Sequence, residues 1–284
     1  MLSYLQIFLL AIIQGLCELL PVSSSAHVIV AERIMGLNPS APAMTLLLVM
    51  LHTGTMFAVI LYFWKEWQFH YFSSFKKFRQ ILTQVFVATL CTGVLGLLLK
   101  IVIEKIFMRH LPHAEIEHLF SNLPLISFAL ATVGSVMIYA GTRKKGNASQ
   151  ELNIKSSCWI GIIQGISLPF RGFSRSGSTI SMGLILGISK KKIEAFSFAL
   201  AVVLTPLVIA KELHRFLHDA TITSSSQTFH LLVQCGAGMV LSFLAGLIAL
   251  KWLSHWLEEG RWKFFGFYCL VAAGGILVLN YFFL

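Results

Sequence analysis

The feature that most restricts the fold is a series of apolar stretches, each long enough for a helix to cross a bilayer. A crossing helix needs about 20 mostly apolar residues. We predict crossings roughly at residues 43–64, 81–103, 121–141, 193–210, 231–253 and 264–284. Only 12% of the 284 residues are charged, too few for the surface of a water-soluble protein of this size. The sequence therefore predicts an all-α polytopic membrane protein with a single integral-membrane domain, residues 1–284.

Two further apolar segments are interrupted near the middle by proline, serine, glycine and charged residues. We name residues 4–36 the first broken segment and residues 155–189 the second broken segment. A segment of this kind can enter the bilayer, turn and leave on the same side if its irregular backbone is buried in protein or faces water. The first broken segment has no basic leader and carries Glu18 within its apolar run, so we expect it to be retained and not cleaved as a signal peptide.

The two broken segments resemble each other. The letters IIQG occur at 12–15 and again at 162–165, and each copy is followed by an apolar stretch, a proline and a serine-rich turn. We therefore predict two pseudo-repeats, about 1–141 and 155–284, each with a re-entrant helical hairpin and three transmembrane helices. Because each repeat has an odd number of transmembrane helices, the second repeat starts on the opposite membrane face from the first. The arrangement predicted is therefore an inverted-topology repeat.

The basic residues predict the orientation. When the loops are assigned alternately, one face carries fourteen Lys and Arg residues and the other carries six. The fourteen are Lys65, Lys76, Lys77, Arg79, Arg143, Lys144, Lys145, Lys155, Lys190, Lys191, Lys192, Lys251, Arg261 and Lys263. The more basic face is expected to be cytoplasmic, where it also meets anionic lipid head groups. The net charge of +10 is explained in this way without nucleic acid, and the first hairpin opens to the exterior or periplasm.

Of the 22 Lys and Arg residues, Arg171 and Arg175 belong to neither face. Both lie in the interruption of the second broken segment, PFRGFSRSGST. A charge at membrane depth costs about 2.5 to 3.5 kcal/mol on insertion scales, so it ordinarily pairs with another group or lines a wet cavity. Hydroxyls and free N–H groups at the start of the following helix favour an anion. The residues expected to bind it here are Arg171, Ser174, Arg175, Ser176, Gly177 and Thr179.

The interruption of the first broken segment, QGLCELLPVSSSAH, supplies complementary groups. Gln14 and Glu18 are four residues apart and share a helix face, while Pro21 ends that helix near residue 20. The groups that then begin a second helix are Ser23, Ser24, Ser25 and His27.

Two helix N-termini that converge at the midplane around an arginine form a phosphate or diphosphate site. Glu18 and His27 supply acid or base groups, Glu18 alternatively a metal-ligating carboxylate, and a serine hydroxyl a nucleophile. The serines could also be helix caps only, and Arg171 could extend to the lipid surface. His52 either lines the pocket or bonds across helices, and the sequence leaves both open.

The stretches GLCELLPVSSSAH and GFSRSGSTISMG resemble the two signature motifs of the bacterial undecaprenyl-diphosphatase family linked to bacitracin resistance. Weaker similarity, through LHTGTMFAVILYFWKEW, KKIEAFSFALAVVLTP and LSFLAGLIALKWL, extends over nearly the whole chain. The resemblance implies an enzyme of the bacterial inner membrane that removes the terminal phosphate of a C55 polyprenyl diphosphate. Its product recycles the lipid carrier of cell-wall synthesis.

The same resemblance implies that Glu18, Ser24, His27, Ser174 and Arg175 belong to the active site and that a divalent cation, Mg or Ca, assists the reaction. The nucleophile stays open between Ser24, His27 and water. Gln14 departs from the family pattern, which often has Glu there, and a neutral amide is neither a base nor a strong metal ligand. Further departures are Ala26 for Gly, His52 for Gln, and one extra residue in the FRG stretch, which adds Arg171.

A second class of protein fits the same pattern. Inverted repeats with broken helices are equally typical of transporters, so a polyprenyl-phosphate flippase without hydrolysis is the alternative. Serine, histidine, glutamate and arginine together in the two interruptions favour the enzyme, because a carrier needs only groups that bind the anion. The expected partners are the polyprenyl lipid and the membrane; the oligomeric state, a homodimer included, is left open by the sequence.

Overall fold

The computed structural model describes residues 2–39, 41–107, 119–120, 122–143, 150–219 and 225–282. Within these ranges ten α-helices form, and a π-helical turn, Ile103–Phe107, follows the fourth. The helices are α1 Tyr4–Leu19, α2 Ser24–Ile34, α3 Pro42–His70, α4 Phe75–Val102, α5 Leu123–Thr142, α6 Ile154–Ser167, α7 Arg175–Ile185, α8 Lys190–Asp219, α9 Ser225–Glu258 and α10 Trp262–Phe282.

Six of the described helices, namely α3, α4, α5, α8, α9 and α10, are long and apolar enough to cross a membrane. They coincide with the six predicted crossings, of which residues 121, 283 and 284 lie outside the described ranges. The chain is therefore an all-helical, multi-pass membrane protein.

The first broken segment is a pair of helices separated by a short turn. Helix α1 ends at Leu19, just before Pro21, because the residue before a proline is pushed out of the helical conformation. Ser23 then begins α2 as its N-cap, with its hydroxyl accepting a hydrogen bond from Ala26 N at 3.5 Å. The Ser23 φ of 68° is left-handed, a strained conformation for a residue with a side chain.

The second broken segment repeats this plan with one longer turn. Helix α6 ends at Ser167, before Pro169, and α7 begins after Ser174. The Ser174 hydroxyl accepts a hydrogen bond from Gly177 N at 3.2 Å and so satisfies one N–H of the first helical turn. Both interruptions therefore lie where the sequence predicted them.

The two halves pack crosswise. Helix α1 lies on α9 of the second half, and α6 lies on α4 of the first half. The glycines of the repeated IIQG letters make these contacts possible: a Cβ on Gly15 would lie 2.6 Å from Ser242 O, and one on Gly165 would lie 3.0 Å from Thr92 O. Helix α3 packs between α8 and α9, and α5 packs on α10.

The interior is held by hydroxyl groups as well as by apolar packing. Ser242 Oγ donates to Leu51 O at 3.0 Å, and Ser127 Oγ donates to Ala273 O at 2.6 Å, each joining two different helices. Small polar residues at helix contacts are typical of membrane proteins, where the surrounding lipid is as apolar as the core. Large apolar side chains occur on both sides: Phe128 and Val271 are exposed, whereas Phe196 and Trp262 are buried.

Candidate active site

The turns of the two broken segments meet at Glu18, in the last turn of α1. The Ser24 hydroxyl, on the first residue of α2, donates to Glu18 Oε2 at 2.5 Å. Gln14 Nε2 donates to the same oxygen at 3.2 Å. From the second broken segment, Arg175 Nη2, on the first residue of α7, donates to Glu18 Oε1 at 3.4 Å. Three of the predicted site residues thus donate hydrogen bonds to the carboxylate of a fourth, Glu18.

The arginine has an unused hydrogen-bond donor. Arg175 Nη1 is buried and has no hydrogen-bond partner in the structure, and a charged donor left in this state is costly. The N-termini of α2 and α7 add partial positive charge nearby. Glu18 contacts Nη2 and leaves Nη1 unused, so this donor together with the two helix N-termini favours an anionic ligand.

A second contact joins the turns. Gly172 N donates to Ser25 Oγ at 3.4 Å, so the first turn of α2 and the loop before α7 touch directly. The sequence predicted that the tips of the two segments lie together, and in the structure the two turns are in direct contact.

Four further predicted residues of the second turn are buried, namely Ser174, Ser176, Gly177 and Thr179. Ser174 and Ser176 have their hydroxyl oxygens 3.5 Å apart. Gly177 lies in the first turn of α7, and the Thr179 hydroxyl donates to Arg175 O at 2.8 Å and lies 2.6 Å from Ser197 Oγ. These groups order the turn that carries Arg175, and their contact with a ligand stays a prediction.

His27 lies one turn into α2 but contacts neither Ser24 nor Glu18 through its ring nitrogens. Nδ1 lies 2.8 Å from Ser23 O, so it carries the proton and donates. Nε2 lies 2.9 Å from the Tyr268 hydroxyl on α10. The ring therefore holds the carbonyl of the strained Ser23 and links α2 to α10.

His52 lies on the site side of α3. Its Nδ1 donates to Leu48 O at 2.8 Å, and its Nε2 is 3.9 Å from Glu18 Oε2. The structure thus resolves the alternatives left by the sequence, because His52 faces the site and also lines the adjoining cavity.

A cavity of about 510 Å³ adjoins this cluster. Gln14, Ser24, Ser25 and His52 line one part of it. Farther along α2, α3 and α8 the lining is largely apolar, and it ends among Glu32, Arg33, Arg171 and Glu212. The guanidinium of Arg171 lies 4.5 Å from the centre of the Phe120 ring, a cation–π contact at this charged end of the cavity.

Some of these residues were missed by sequence reasoning. Glu32 is 2% exposed, and its Oε1 is buried without a hydrogen-bond partner. Its spacing of eight residues from Ser24 places both on one face of α2, a signal that could have found it. Tyr268 had no such signal, since it is one aromatic residue among many in the last span.

Glycine at position 172 is required by two features at once. Its φ is +98°, and an added Cβ would lie 2.3 Å from Ile126 O on α5. We expect Gly172→Ala to displace the turn that carries Arg175, costing about 1 to 3 kcal/mol of stability and at least tenfold in activity. Thermal unfolding in detergent and turnover would measure both.

Gly36→Ala is the matched control for this prediction. Gly36 has a φ of +64° but nothing within 4 Å of an added Cβ, so it tests backbone strain without the clash. Equal losses in the two variants would show that the contact with α5 does not position the turn.

The site offers few side chains that could ligate a metal ion. Among the described residues, no group of three or more His, Cys, Asp or Glu side chains could hold a metal. Mg²⁺ commonly takes one or two carboxylates together with substrate phosphates and water. The residues present therefore fit a cation that shares the oxygens of a bound diphosphate, with Glu18 as its protein carboxylate, and do not fit a site made of protein ligands alone.

The fold and the site define a class: a multi-pass helical membrane protein with an acid, a serine and an arginine gathered where two helix breaks meet. Comparison with known proteins gives the family, since the model of the bacitracin resistance protein BacA matches residues 7–275. The chain belongs to the BacA family.

Curated relatives extend the similarity over the full length. The chain is 56% identical over 278 residues to undecaprenyl-diphosphatase 2 of Acinetobacter baylyi, with 97% of each chain covered. It is 30% identical to the undecaprenyl-diphosphatase of Bdellovibrio bacteriovorus, with 98% of this chain and 97% of that protein covered. It is also 30% identical to undecaprenyl-diphosphatase 1 of Clostridioides difficile, over 99% of this chain and 98% of the relative.

Proposed function

We propose that this chain is an undecaprenyl diphosphatase, which hydrolyses undecaprenyl diphosphate to undecaprenyl phosphate and inorganic phosphate. The reaction returns lipid carrier to cell-wall synthesis. Membership of the BacA family and the names of the relatives support this assignment. The observation in the structure that carries it is the Glu18 carboxylate, contacted by the Ser24 hydroxyl from one turn and by Arg175 from the other.

Arg175 binds the diphosphate in this proposal. Its Nη1 has no partner, so a phosphoryl oxygen can accept from it without loss of the Glu18 contact made by Nη2. The free N–H groups at the start of α2 and α7 add donors on either side. Because phosphoryl transfer develops its charge on the phosphoryl oxygens, such prearranged donors lower the barrier.

Ser24 is the nucleophile that the geometry supports best. Its hydroxyl already donates to Glu18 Oε2, so the carboxylate can accept the proton as Ser24 Oγ attacks the terminal phosphorus. The bond from that phosphorus to the bridging oxygen breaks, and undecaprenyl phosphate leaves with the electron pair. Water then attacks the phosphoserine, and the bond from phosphorus to Ser24 Oγ breaks. Ser24 Oγ takes back the proton held by Glu18, and inorganic phosphate leaves with the hydrogens of the water.

His27 is then a positioning residue while its ring remains on Ser23 O and Tyr268. A direct proton transfer by His27, as first predicted, requires the ring to exchange Tyr268 for the substrate. His52 lies closer to the reacting groups, with Nε2 3.9 Å from Glu18 Oε2. A protonated His52 would stabilise the negative charge of that carboxylate.

A divalent cation, Mg or Ca, fits this proposal as a partner of the substrate. Glu18 would be its protein ligand, and the cation when bound would neutralise charge on the phosphoryl oxygens. Gln14 keeps the Glu18 carboxylate oriented by donating to it, which a second carboxylate at that position could not do.

The two broken segments are re-entrant hairpins of an inverted repeat in the inner membrane. The crosswise packing of α1 on α9 and of α6 on α4 supports this, because a two-fold pseudo-symmetry exchanges the two pairs.

The adjoining cavity is near the start of α3, away from the more basic face, so we propose that it opens to the periplasm. A cavity of about 510 Å³ holds a group of drug size, so the head and first isoprene units enter it and the remaining chain stays in lipid.

Hydrolysis by the purified protein tests the function. We expect phosphate release from undecaprenyl diphosphate in detergent, with loss of release in Ser24→Ala, a change that removes one hydroxyl and leaves Glu18 its other two donors. Movement of the lipid across liposomes with no phosphate released would instead establish the flippase alternative.

A further inference from the structure

A second cavity, of about 610 Å³, lies between the starts of α4 and α6 and shares no lining residue with the cavity beside the site. We name it the basic groove. Its cationic lining residues are Lys76 and Arg79 on α4 and Lys155 on α6. Gln80 and Asn153 supply additional polar groups to the same lining.

The charged residues that line the basic groove are all cationic, while Glu66 and Glu151 line an adjoining cavity that shares Gln80 and Gln84 with it. No Asp or Glu side chain from the described ranges lines the basic groove itself. Lys76, Arg79 and Lys155 form no ion pair with any described residue, whereas Lys191 and Lys192 at the same membrane face are paired with Glu258 and Glu151. Three close cations without an acid favour a bound anion.

Apolar side chains continue directly from these cations along the helices. On α4, Leu82 and Phe86 follow Arg79 at the spacing of one helix face, and they are 55% and 64% exposed. On α6, Trp159 lies one turn beyond Lys155 and is 46% exposed. A cationic groove that passes into two exposed apolar stripes matches a lipid, with an anionic head group and acyl chains side by side.

We propose that the basic groove binds the head group of an anionic glycerophospholipid, such as phosphatidylglycerol or cardiolipin. Its acyl chains lie along Leu82 and Phe86 of α4 and along Trp159 of α6. Basic grooves between membrane helices are the kind of site that holds such head groups. The site is separate from Glu18 and Arg175 and does not depend on the reaction proposed there.

Trp159 provides a local measurement on the full-length protein. Phosphatidylglycerol with brominated acyl chains would be titrated into the purified protein in detergent, with phosphatidylcholine of the same chains as reference. The chain has six tryptophans, so the quenching of Trp159 alone is obtained by subtracting the fluorescence quenching of the Trp159→Phe variant from that of the wild type. We expect a preference for phosphatidylglycerol of about tenfold or more, since each cation near an anionic lipid adds roughly fivefold.

The test variant combines Lys76→Gln, Arg79→Gln and Lys155→Gln, and we expect it to lose that preference. A matched control combines Lys65→Gln, Lys251→Gln and Lys263→Gln, which removes the same charge from the same predicted face. The control should keep the preference and both variants should keep the wild-type unfolding temperature. Equal loss in both variants would mean diffuse attraction and would overturn the site, as would full displacement of the lipid by inorganic phosphate alone.

Discussion

Replacing Arg175 with alanine is expected to lower kcat/KM for hydrolysis of undecaprenyl diphosphate by about 10³-fold or more. Arg175 supplies the charged donor on Nη1 that has no partner within the protein, together with the contact to Glu18. Its removal leaves the Glu18 carboxylate without its cation and the phosphate without its main clamp. Steady-state phosphate release in detergent measures the loss, which should exceed that of any single serine used only for binding.

Arg171→Ala is the matched control for Arg175→Ala. It makes the same substitution four residues away, on a side chain that is exposed and stacks on Phe120 at the far end of the cavity. We expect a loss of about tenfold at most, because a solvated cation contributes little to binding. Near-normal turnover in Arg175→Ala, or a larger loss in Arg171→Ala, would contradict the proposed placement of the diphosphate.

Replacing Glu18 with glutamine is expected to lower kcat by about 10² to 10⁴-fold with a smaller change in KM, the size of a general-base contribution. Glutamine preserves the shape of the side chain but cannot take the proton of Ser24. Because Glu18 and Arg175 touch and act together, the double variant should cost about as much as the more damaging single variant.

Glu194→Gln makes the same chemical change at another buried carboxylate. Glu194 lies near the start of α8 and accepts a hydrogen bond from Ser254 Oγ at 2.5 Å, a contact that a glutamine oxygen can also accept. This variant should turn over at a rate near that of the wild type. If Glu18→Gln behaved in the same way, Glu18 would not be the base, and attack by water through another group would have to replace the Ser24 pathway.

Much of the architecture was predictable because it depends on local composition. The length of an apolar stretch decides whether a helix can cross a bilayer, so the six crossings follow from the letters alone. Pro21 and the serines after it predicted where α1 stops and α2 starts, for similarly local reasons. Helix ends were less predictable: α3 continues from the expected end near residue 64 to His70, because Trp67 packs inward and donates to Ala195 O.

The sequence predicted some of the contacts in the candidate site and missed others. The sequence placed Glu18 and Gln14 on one helix face, and both contact the same network. It assigned His27 to proton transfer beside Ser24, whereas the folded chain joins His27 to Tyr268, 241 residues away. It left His52 undecided, and packing of α3 against the first broken segment brings His52 to Glu18.

The sequence by itself determined that this chain is a helical membrane protein with two polar breaks, because helix length, proline and capping hydroxyls act within a few residues. Only the tertiary structure decided which groups touch where the breaks meet, that Arg175 retains a free donor beside Glu18, and that a cavity adjoins them. These features depend on how helices far apart in the chain pack against each other, and no short stretch of residues contains that information.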